Sequence, residues 1–312
     1  MTHLWSRTGL YAVLIAASLF YLIPLYVLVV TGLKPFKDVS LQAMWDLPTR
    51  LDFGSFAAAW ERISPNFWNS IQIAFPAALI TALVGSLNGY IFAKWHFKYA
   101  NILFTLVLFG IFLPYQGILI PLVLTLQRLG LYGSIPGLVL AHCVFAIPIT
   151  ALIFRSSFIS IPGELLDAAK IDGAGFFRIY AWIMAPLALP AFAVVLIWQF
   201  TSVWNDFLLG VVVLSDPRKA PVTVAINNLA GTYFVEWNIQ MAGAVIAALP
   251  TVLIYLALGR LFMRGLLAGS LKNVNRIPMR VGMFAERVLT RRRGRGLQAT
   301  VTHELVRNMR RV

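Results

Sequence analysis

Long apolar stretches alternate with short charged segments along the chain. Six stretches contain no Asp, Glu, Lys or Arg, and each can hold the roughly 20 apolar residues that cross a hydrocarbon core as a helix. They lie between Arg7 and Lys34, Arg62 and Lys94, Lys98 and Arg128, Arg128 and Arg155, Arg178 and Asp206, and Glu236 and Arg260. The pattern predicts an all-α membrane protein with six transmembrane helices. An even number of spans places both termini on the same side.

Composition supports a bilayer environment for this chain. Of 312 residues, 59% are hydrophobic and 12% charged, whereas a soluble globular domain has about 25% charged residues. The first apolar stretch is too long for the hydrophobic region of a signal peptide and has no small-residue cleavage site, so it predicts a retained anchor. The single cysteine, Cys143, excludes a disulfide within the chain and a cysteine-based metal site.

Prolines and small residues inside the stretches modify this picture. Pro114 in the third stretch, Pro148 in the fourth and Pro250 in the sixth predict kinks, which suit helices that line a pathway. The sequence GSLNGY in the second stretch supplies small residues that permit close packing between helices. Before it, FGSFAAAWERI predicts a short helix on the membrane surface.

Basic residues indicate the orientation and dominate the net charge of +14. With both termini in the cytoplasm, 19 of the 26 lysines and arginines lie inside and 7 lie outside, and residues 265–312 supply 11 of those 19. The cluster TRRRGRG in this tail could suggest nucleic acid, but no reading platform and no interleaved aromatic residues accompany it. We therefore predict contact with membrane lipid headgroups and no nucleic-acid partner.

A polar segment interrupts the apolar sequence between the fourth and fifth stretches. It begins at residue 164 and reads ELLDAAKIDGAGFFRIYAWIMAPLALP; we call residues 164–186 the elbow. Ser160 is placed to cap a first helix, and the Asp172–Gly173 pair ends it, because glycine tolerates a positive φ. A second helix is expected to present one apolar face, made of Phe176, Phe177, Tyr180, Ile183 and Met184.

We expect the elbow to lie at the cytoplasmic membrane surface and to make none of the packing contacts of the spans. An interfacial loop that is incidentally helical is the simpler alternative.

The spacing within the elbow resembles the EAA signature of permease subunits of bacterial ABC importers. That signature runs Glu-Ala-Ala, three residues, Gly, nine residues, Ile, any residue, Leu-Pro. Asp167 stands here in place of the glutamate and Ala185 in place of the leucine. The matching positions are Ala168, Ala169, Gly173, Ile183 and Pro186.

The resemblance covers about residues 9–273 and is to carbohydrate-type importers. LPYQGILIPL, LIWQFTSVWNDFLLGVV and FMRGLLAGSLK are similar to the second maltose-type permease subunit, and VTVAINNLAG is most similar to glucose and mannose permeases. This implies the type I ABC importer permease fold with six transmembrane helices and cytoplasmic termini. It also implies a division of the chain into a first transmembrane helix, an exterior segment, a permease domain that contains the elbow, and a basic cytoplasmic tail, at residues 1–33, 34–65, 66–264 and 265–312.

In such permeases the elbow is the coupling helix that docks on an ATPase subunit. The resemblance therefore assigns ATPase coupling to Glu164, Asp167, Ala168, Ala169, Asp172, Gly173, Ala174, Ile183 and Pro186. It assigns contact with the sugar-binding protein to a polar, flexible loop between the last two spans, namely Asn227, Asn228, Gly231, Thr232 and Tyr233. Trp204, Asn205 and Asp206, at the border of the fifth span, are candidates for the transport pathway or for interfacial anchoring.

The implied function is that of the transmembrane subunit of an ATP-driven, binding-protein-dependent sugar importer in the cell inner membrane. The chain has no Walker motif, so the resemblance implies no cofactor of its own and ATP bound by a partner. The expected partners are a second, homologous permease, two ATP-binding subunits and an extracytoplasmic sugar-binding protein.

Two other functions are compatible with a polytopic membrane protein. A secondary transporter or channel with no ATPase partner would need ionisable groups within the membrane or repeated broken helices, and the stretches lack charge and repeats. A membrane enzyme would need an acid–base or metal cluster, and His142 is the one histidine inside a stretch. No catalytic or metal-binding residues are therefore predicted.

The topology predicts the location of two reporter fusions. A reporter fused after residue 175 should be active inside the cell, and one fused after residue 235 should be active outside. Alkaline phosphatase and green fluorescent protein fusions report the two locations. Activities on the opposite sides would reject the predicted orientation.

Overall fold

The computed structural model describes residues 2–231 and 235–261, and within them the chain is α-helical. The helices are α1 Thr2–Gly32, α2 Gly54–Lys94, α3 Ala100–Phe109, α4 Leu119–Arg128, α5 Ile135–Ile159, α6 Glu164–Ile171, α7 Phe176–Ile179, α8 Ala185–Leu187, α9 Leu189–Trp204, α10 Leu208–Val213, α11 Val222–Leu229 and α12 Trp237–Leu261. A π turn, Tyr180–Met184, joins α7 to α8. The predicted tail, residues 265–312, lies outside the described residues, as does the predicted domain end at residue 264.

Within the described residues, four helices are long and apolar enough to cross a membrane: α1, α2, α5 and α12. Two further spans are bent. Ala100–Phe112 meets Tyr115–Arg128 at 90°, and Phe176–Leu187 meets Leu189–Trp204 at 77°. Counted as one span each, the bent pairs bring the total in the described part of the chain to the six predicted from the charge pattern.

Prolines lie at both bends. Leu113 and Pro114 both have extended backbone between two 3₁₀ turns, as expected because proline disfavours the helical conformation in the residue before it. Pro190 lies in the first turn of α9, where its missing N–H costs no helical hydrogen bond. The third span therefore bends by 90°, which is much sharper than the kink predicted from Pro114. Pro148, in contrast, lies inside the unbroken helix α5.

The predicted surface helix before the second span is not a separate element. It forms the first part of α2, which runs without a break for 41 residues. Buried positions repeat at helical spacing across the predicted boundary between residues 65 and 66, so the same face continues from the surface part into the span. These positions are Ser55, Ala59, Ile63, Asn66 and Ser70.

The centre of the fold is the contact between α2 and α5, on which α9 packs. A Cβ atom added at Gly89 of α2 would lie 2.6 Å from the Cβ of Phe154 and 2.7 Å from the backbone nitrogen of Arg155. Gly85, one turn earlier, is equally crowded by the side chain of Thr150. The close packing predicted from GSLNGY is thus confirmed, since hydrogen replaces a side chain where the two backbones meet.

This contact should not tolerate a single added methyl group. We expect Gly89→Ala to lower stability by about 1–3 kcal/mol, because α2 and α5 must separate to make room. The matched control is Gly9→Ala, where an added Cβ has no neighbour within 4 Å. Thermal denaturation of the detergent-purified protein measures both, and equal stability of the two variants would contradict the packing argument.

Candidate functional site

The elbow begins at Gly163, which precedes the first residue of α6 and provides no side-chain cap. The residue at the N-cap position of α6 is therefore Gly163 and not the predicted Ser160, which follows the last residue of α5. Only a short link separates the two helices, so the chain leaves α5 and enters the elbow almost at once.

The turn after α6 has the geometry predicted from Asp172–Gly173. Gly173 has φ +75°, and its N–H donates to the carbonyl of Lys170 at 3.0 Å. The N–H of Ala174 donates to the carbonyl of Ala169 at 2.9 Å. This pair of bonds defines a Schellman motif, in which a left-handed glycine ends the helix and satisfies its last carbonyls. An added Cβ at Gly173 would meet nothing within 4 Å, so the glycine is required here for its backbone conformation.

One face of the elbow belongs to the core of the spans. The buried elbow residues pack with Tyr90 of α2 and with Phe154 and Phe158 of α5; they are Leu166, Ala169, Ile179 and Met184. Ser86 of α2 also forms a hydrogen bond of 2.5 Å with the Tyr180 hydroxyl. The expectation that the elbow makes no packing contacts with the spans is therefore wrong. Its apolar face needs burial, and the ends of α2 and α5 provide it.

The π turn decides which aromatic residues face outward. A π turn brings residues five apart onto one side, so Ile179 and Met184 are both buried. Phe177, predicted to share the apolar face, has 73% of its surface exposed instead. Trp182 is 79% exposed and lines a shallow groove, together with Asp172, Ala174, Arg178 and Ile183.

The residues predicted for ATPase coupling divide between the two faces. Glu164, Asp167, Ala168, Asp172, Gly173 and Pro186 are exposed, and Ala174 and Ile183 are half-buried. Ala169 is 6% exposed and packs inside the chain, and it also lines the groove beside Trp182. Asp167 lies 3.4 Å from the ammonium of Lys170 on the exposed face.

At the other end of α2, the segment predicted as a flexible loop is partly helical. Asn227 and Asn228 form the exposed last turn of α11, and Gly231 follows with φ +62°. Thr232 and Tyr233 lie outside the described residues. The exposed amides are thus held by a helix, because the apolar residues of α11 pack on the core.

Polar side chains of α2 hold the segment that precedes α11. The Asn66 amide donates to the carbonyls of Pro217 and Ala220, and the Asn69 amide donates to those of Arg218 and Ala220. These hydrogen bonds were not predicted from the sequence. The signal was the pair of asparagines three residues apart near the start of an apolar stretch.

The three candidates for the transport pathway, which lie at the end of α9, have separate roles in the fold. Trp204 is 2% exposed, and its indole N–H donates to the carbonyl of Ala247, so interfacial anchoring by Trp204 is wrong. The Asp206 carboxylate accepts a hydrogen bond from the N–H of Leu209 in the first turn of α10. Burial raises the pKa of Asp206, and this hydrogen bond opposes the rise. Asn205 is exposed, and its amide donates to the carbonyl of Thr201.

Among residues 2–231 and 235–261, no group of three His, Cys, Asp or Glu side chains is placed to hold a metal ion. His142 is buried within α5. The described surface offers an aromatic and charged groove at the elbow and exposed amides at the other end of α2.

These features define a multi-pass, α-helical membrane protein with a helical elbow packed on one end of its spans. Residues 85–267 match the family model described as the binding-protein-dependent transport system inner membrane component. The chain belongs to this family. It is the membrane subunit of a binding-protein-dependent ABC transport system.

Relatives and a solved structure agree with this assignment. The chain is 42% identical to a probable ABC transporter permease protein of Pyrococcus horikoshii, over 86% of this chain and 98% of the relative. It is 32% identical to the xylose/arabinose import permease protein of Haloferax volcanii, over 83% and 92%. A bacterial ABC transporter involved in alginate import has a similar fold, with a TM-score of 0.71, 20% identity, and coverage of 82% of this chain and 97% of that one. This similarity establishes the type I importer permease fold.

The two faces of the elbow should respond differently to truncation. Met184→Ala removes a fully buried side chain and should cost about 2–5 kcal/mol of stability. Trp182→Ala removes a larger side chain that is mostly exposed, so it should leave the melting temperature unchanged. Thermal unfolding of the two purified variants tests this, and a destabilised Trp182→Ala protein would show that the groove is part of the core.

Proposed function

We propose that this subunit imports a sugar in an ATP-driven complex and that the elbow transmits the movement of the ATPase. The observation that carries the proposal is the two-sided elbow. Its buried face is fixed to α2 and α5, while its exposed face presents Asp167, Ala168 and Gly173 of the EAA-like signature. A joint of this kind moves as a rigid body with the spans, so a displacement at the exposed face is transferred to the membrane helices.

The ATPase contact in this proposal is the exposed face of the elbow. Asp167, Ala168 and the Asp172–Gly173 turn enter a cleft on the ATPase, and the groove beside Trp182 and Arg178 receives a complementary side chain. Large exposed aromatic residues next to charges are typical of the few positions that dominate binding energy at protein interfaces. Ala169 contributes by letting α6 pack against the core.

The remaining partners belong to the same proposal. The elbow faces the cytoplasm, and both termini lie on that side. At the outer face, the end of α11 with Asn227 and Asn228 contacts the extracytoplasmic sugar-binding protein, as do Gly231, Thr232 and Tyr233. A second, homologous permease completes the pathway, and two ATP-binding subunits supply the energy, so this chain has no ATPase activity of its own.

The chemistry of the cargo is inferred from a relative. The permease of Haloferax volcanii takes part in xylose/arabinose import, and we propose a monosaccharide for this chain as well. The complex resides in the cell inner membrane, where residues 265–312 contact anionic lipid headgroups through their arginines.

The decisive variant is Gly173→Val. A side chain at φ +75° costs about 1 kcal/mol or more, and it would also collide with the cleft of the ATPase. We expect the variant permease to reach the membrane in normal amounts, to lose the ATPase subunit on purification and to lose ATP-dependent sugar uptake.

The matched control is Gly175→Val. Gly175 also has no neighbour within 4 Å of an added Cβ, but its φ of −77° suits any residue. This variant should retain the ATPase. If Gly173→Val copurifies with the ATPase and imports sugar at the normal rate, the elbow is not the coupling joint.

A further inference from the structure

Helix α9 presents a polar and aromatic stripe on a surface that is otherwise apolar or buried. After Leu189 at its start, Trp198 and Ser202 are the exposed residues of α9, and Asn205 is exposed directly after its end. The three residues are four and three positions apart, so they lie on one face of the helix. Beside them, the Thr201 hydroxyl is buried and has no hydrogen-bond partner.

The depth of this stripe argues against contact with lipid. Trp198 lies seven residues before Asn205, or about 10 Å along the helix axis, and is therefore near the middle of a helix about 24 Å long. Lipid-facing tryptophans concentrate at the membrane–water interfaces, and a hydroxyl or amide exposed to hydrocarbon is unfavourable. The stripe therefore faces either a water-filled path or another protein.

The composition of the stripe suits a carbohydrate. An indole ring, 42% exposed in Trp198, offers a flat apolar surface for the C–H face of a sugar ring. The Ser202 hydroxyl both donates and accepts hydrogen bonds, and the Asn205 amide has both functions as well. The bond from the Asn205 amide to the Thr201 carbonyl, 2.8 Å long, fixes this side chain before any ligand arrives.

We propose that Trp198, Ser202 and Asn205 form a sugar-contacting site of this subunit on the transport pathway. The proposal rests on the proposed function, because it requires a sugar to pass between this permease and its partner. The ring stacks on Trp198, and its hydroxyls bond to Ser202 and Asn205. Both this subunit and the second permease then contact the sugar.

Cysteine labelling in the assembled complex tests where the stripe faces. Ser202→Cys is made in a Cys143→Ala background, with Phe75→Cys as the matched control on the exposed apolar face of α2. The complex is reconstituted in liposomes with the sugar-binding protein, and the probe is a water-soluble maleimide. We expect labelling of the Ser202→Cys variant to slow about tenfold when D-xylose, Mg-ATP and vanadate are present, as for a site occupied by ligand about 90% of the time. The control variant should stay unlabelled.

Substitutions at Trp198 test the stacking contact in the same complex. Trp198→Ala should lower D-xylose uptake about tenfold, whereas Trp198→Tyr, which keeps an aromatic face, should stay close to the wild type. Trp68→Ala, which removes a 56% exposed tryptophan of α2, should leave uptake unchanged. ATP hydrolysis stimulated by the binding protein should persist in Trp198→Ala, since the elbow is intact.

The outcomes separate this site from the proposed function. If the wild-type complex shows no ATP-dependent uptake of D-xylose, L-arabinose or D-glucose, the proposed import of a monosaccharide fails. If the wild type imports one of them, that sugar replaces D-xylose as the probe. A Ser202→Cys variant that stays unlabelled in every nucleotide state then shows a face covered by lipid or by the partner. Any of three results would overturn the sugar-contacting site. They are this lack of labelling, labelling that the sugar does not slow, and normal uptake by Trp198→Ala.

Discussion

The close approach of α2 and α5 is the constraint on which the rest of the described structure depends. Water is absent from a hydrocarbon core, so apolar side chains gain little by leaving lipid for a helix interface, and tight packing must supply the attraction. Gly85 and Gly89 permit that packing, because a side chain at either position would overlap α5. The paired helices then present aromatic residues, Tyr90 and Phe158 among them, at the end where the elbow attaches.

The elbow shows how a short polar segment can be both rigid and available for contact. Its Schellman turn satisfies the end of α6 without help from other elements, and its π turn directs Ile179 and Met184 inward. The same turn leaves Trp182 on the outside. The residues that fix the elbow to the spans therefore differ from those that can bind a partner. Substitutions can then alter one of these two contacts without altering the other.

Polar groups at the other end of α2 also hold a segment that lies outside the spans. Asn66 and Asn69 donate hydrogen bonds to carbonyls of residues 217, 218 and 220, and Asp206 accepts one from Leu209 in the first turn of α10. These contacts order a segment outside the spans by satisfying its backbone groups, which is the general requirement for irregular chain near a membrane. The hydrogen-bonded segment before α11 therefore holds the exposed end of this helix in a fixed position.

The sequence by itself determined the class, the number of spans and the glycine turn. Charge-free length, proline position and the Asp172–Gly173 pair are local properties, and each has a direct physical consequence for the backbone. Tertiary structure decided the inward position of Ala169 and Trp204, the outward position of Phe177 and the continuity of α2. Those outcomes depend on which neighbour covers each face. The π turn changes the helical repeat by one residue, so periodicity alone assigned Phe177 to the wrong side. Burial in a membrane protein depends on which helices pack against each other, so it cannot be predicted from a single stretch of sequence.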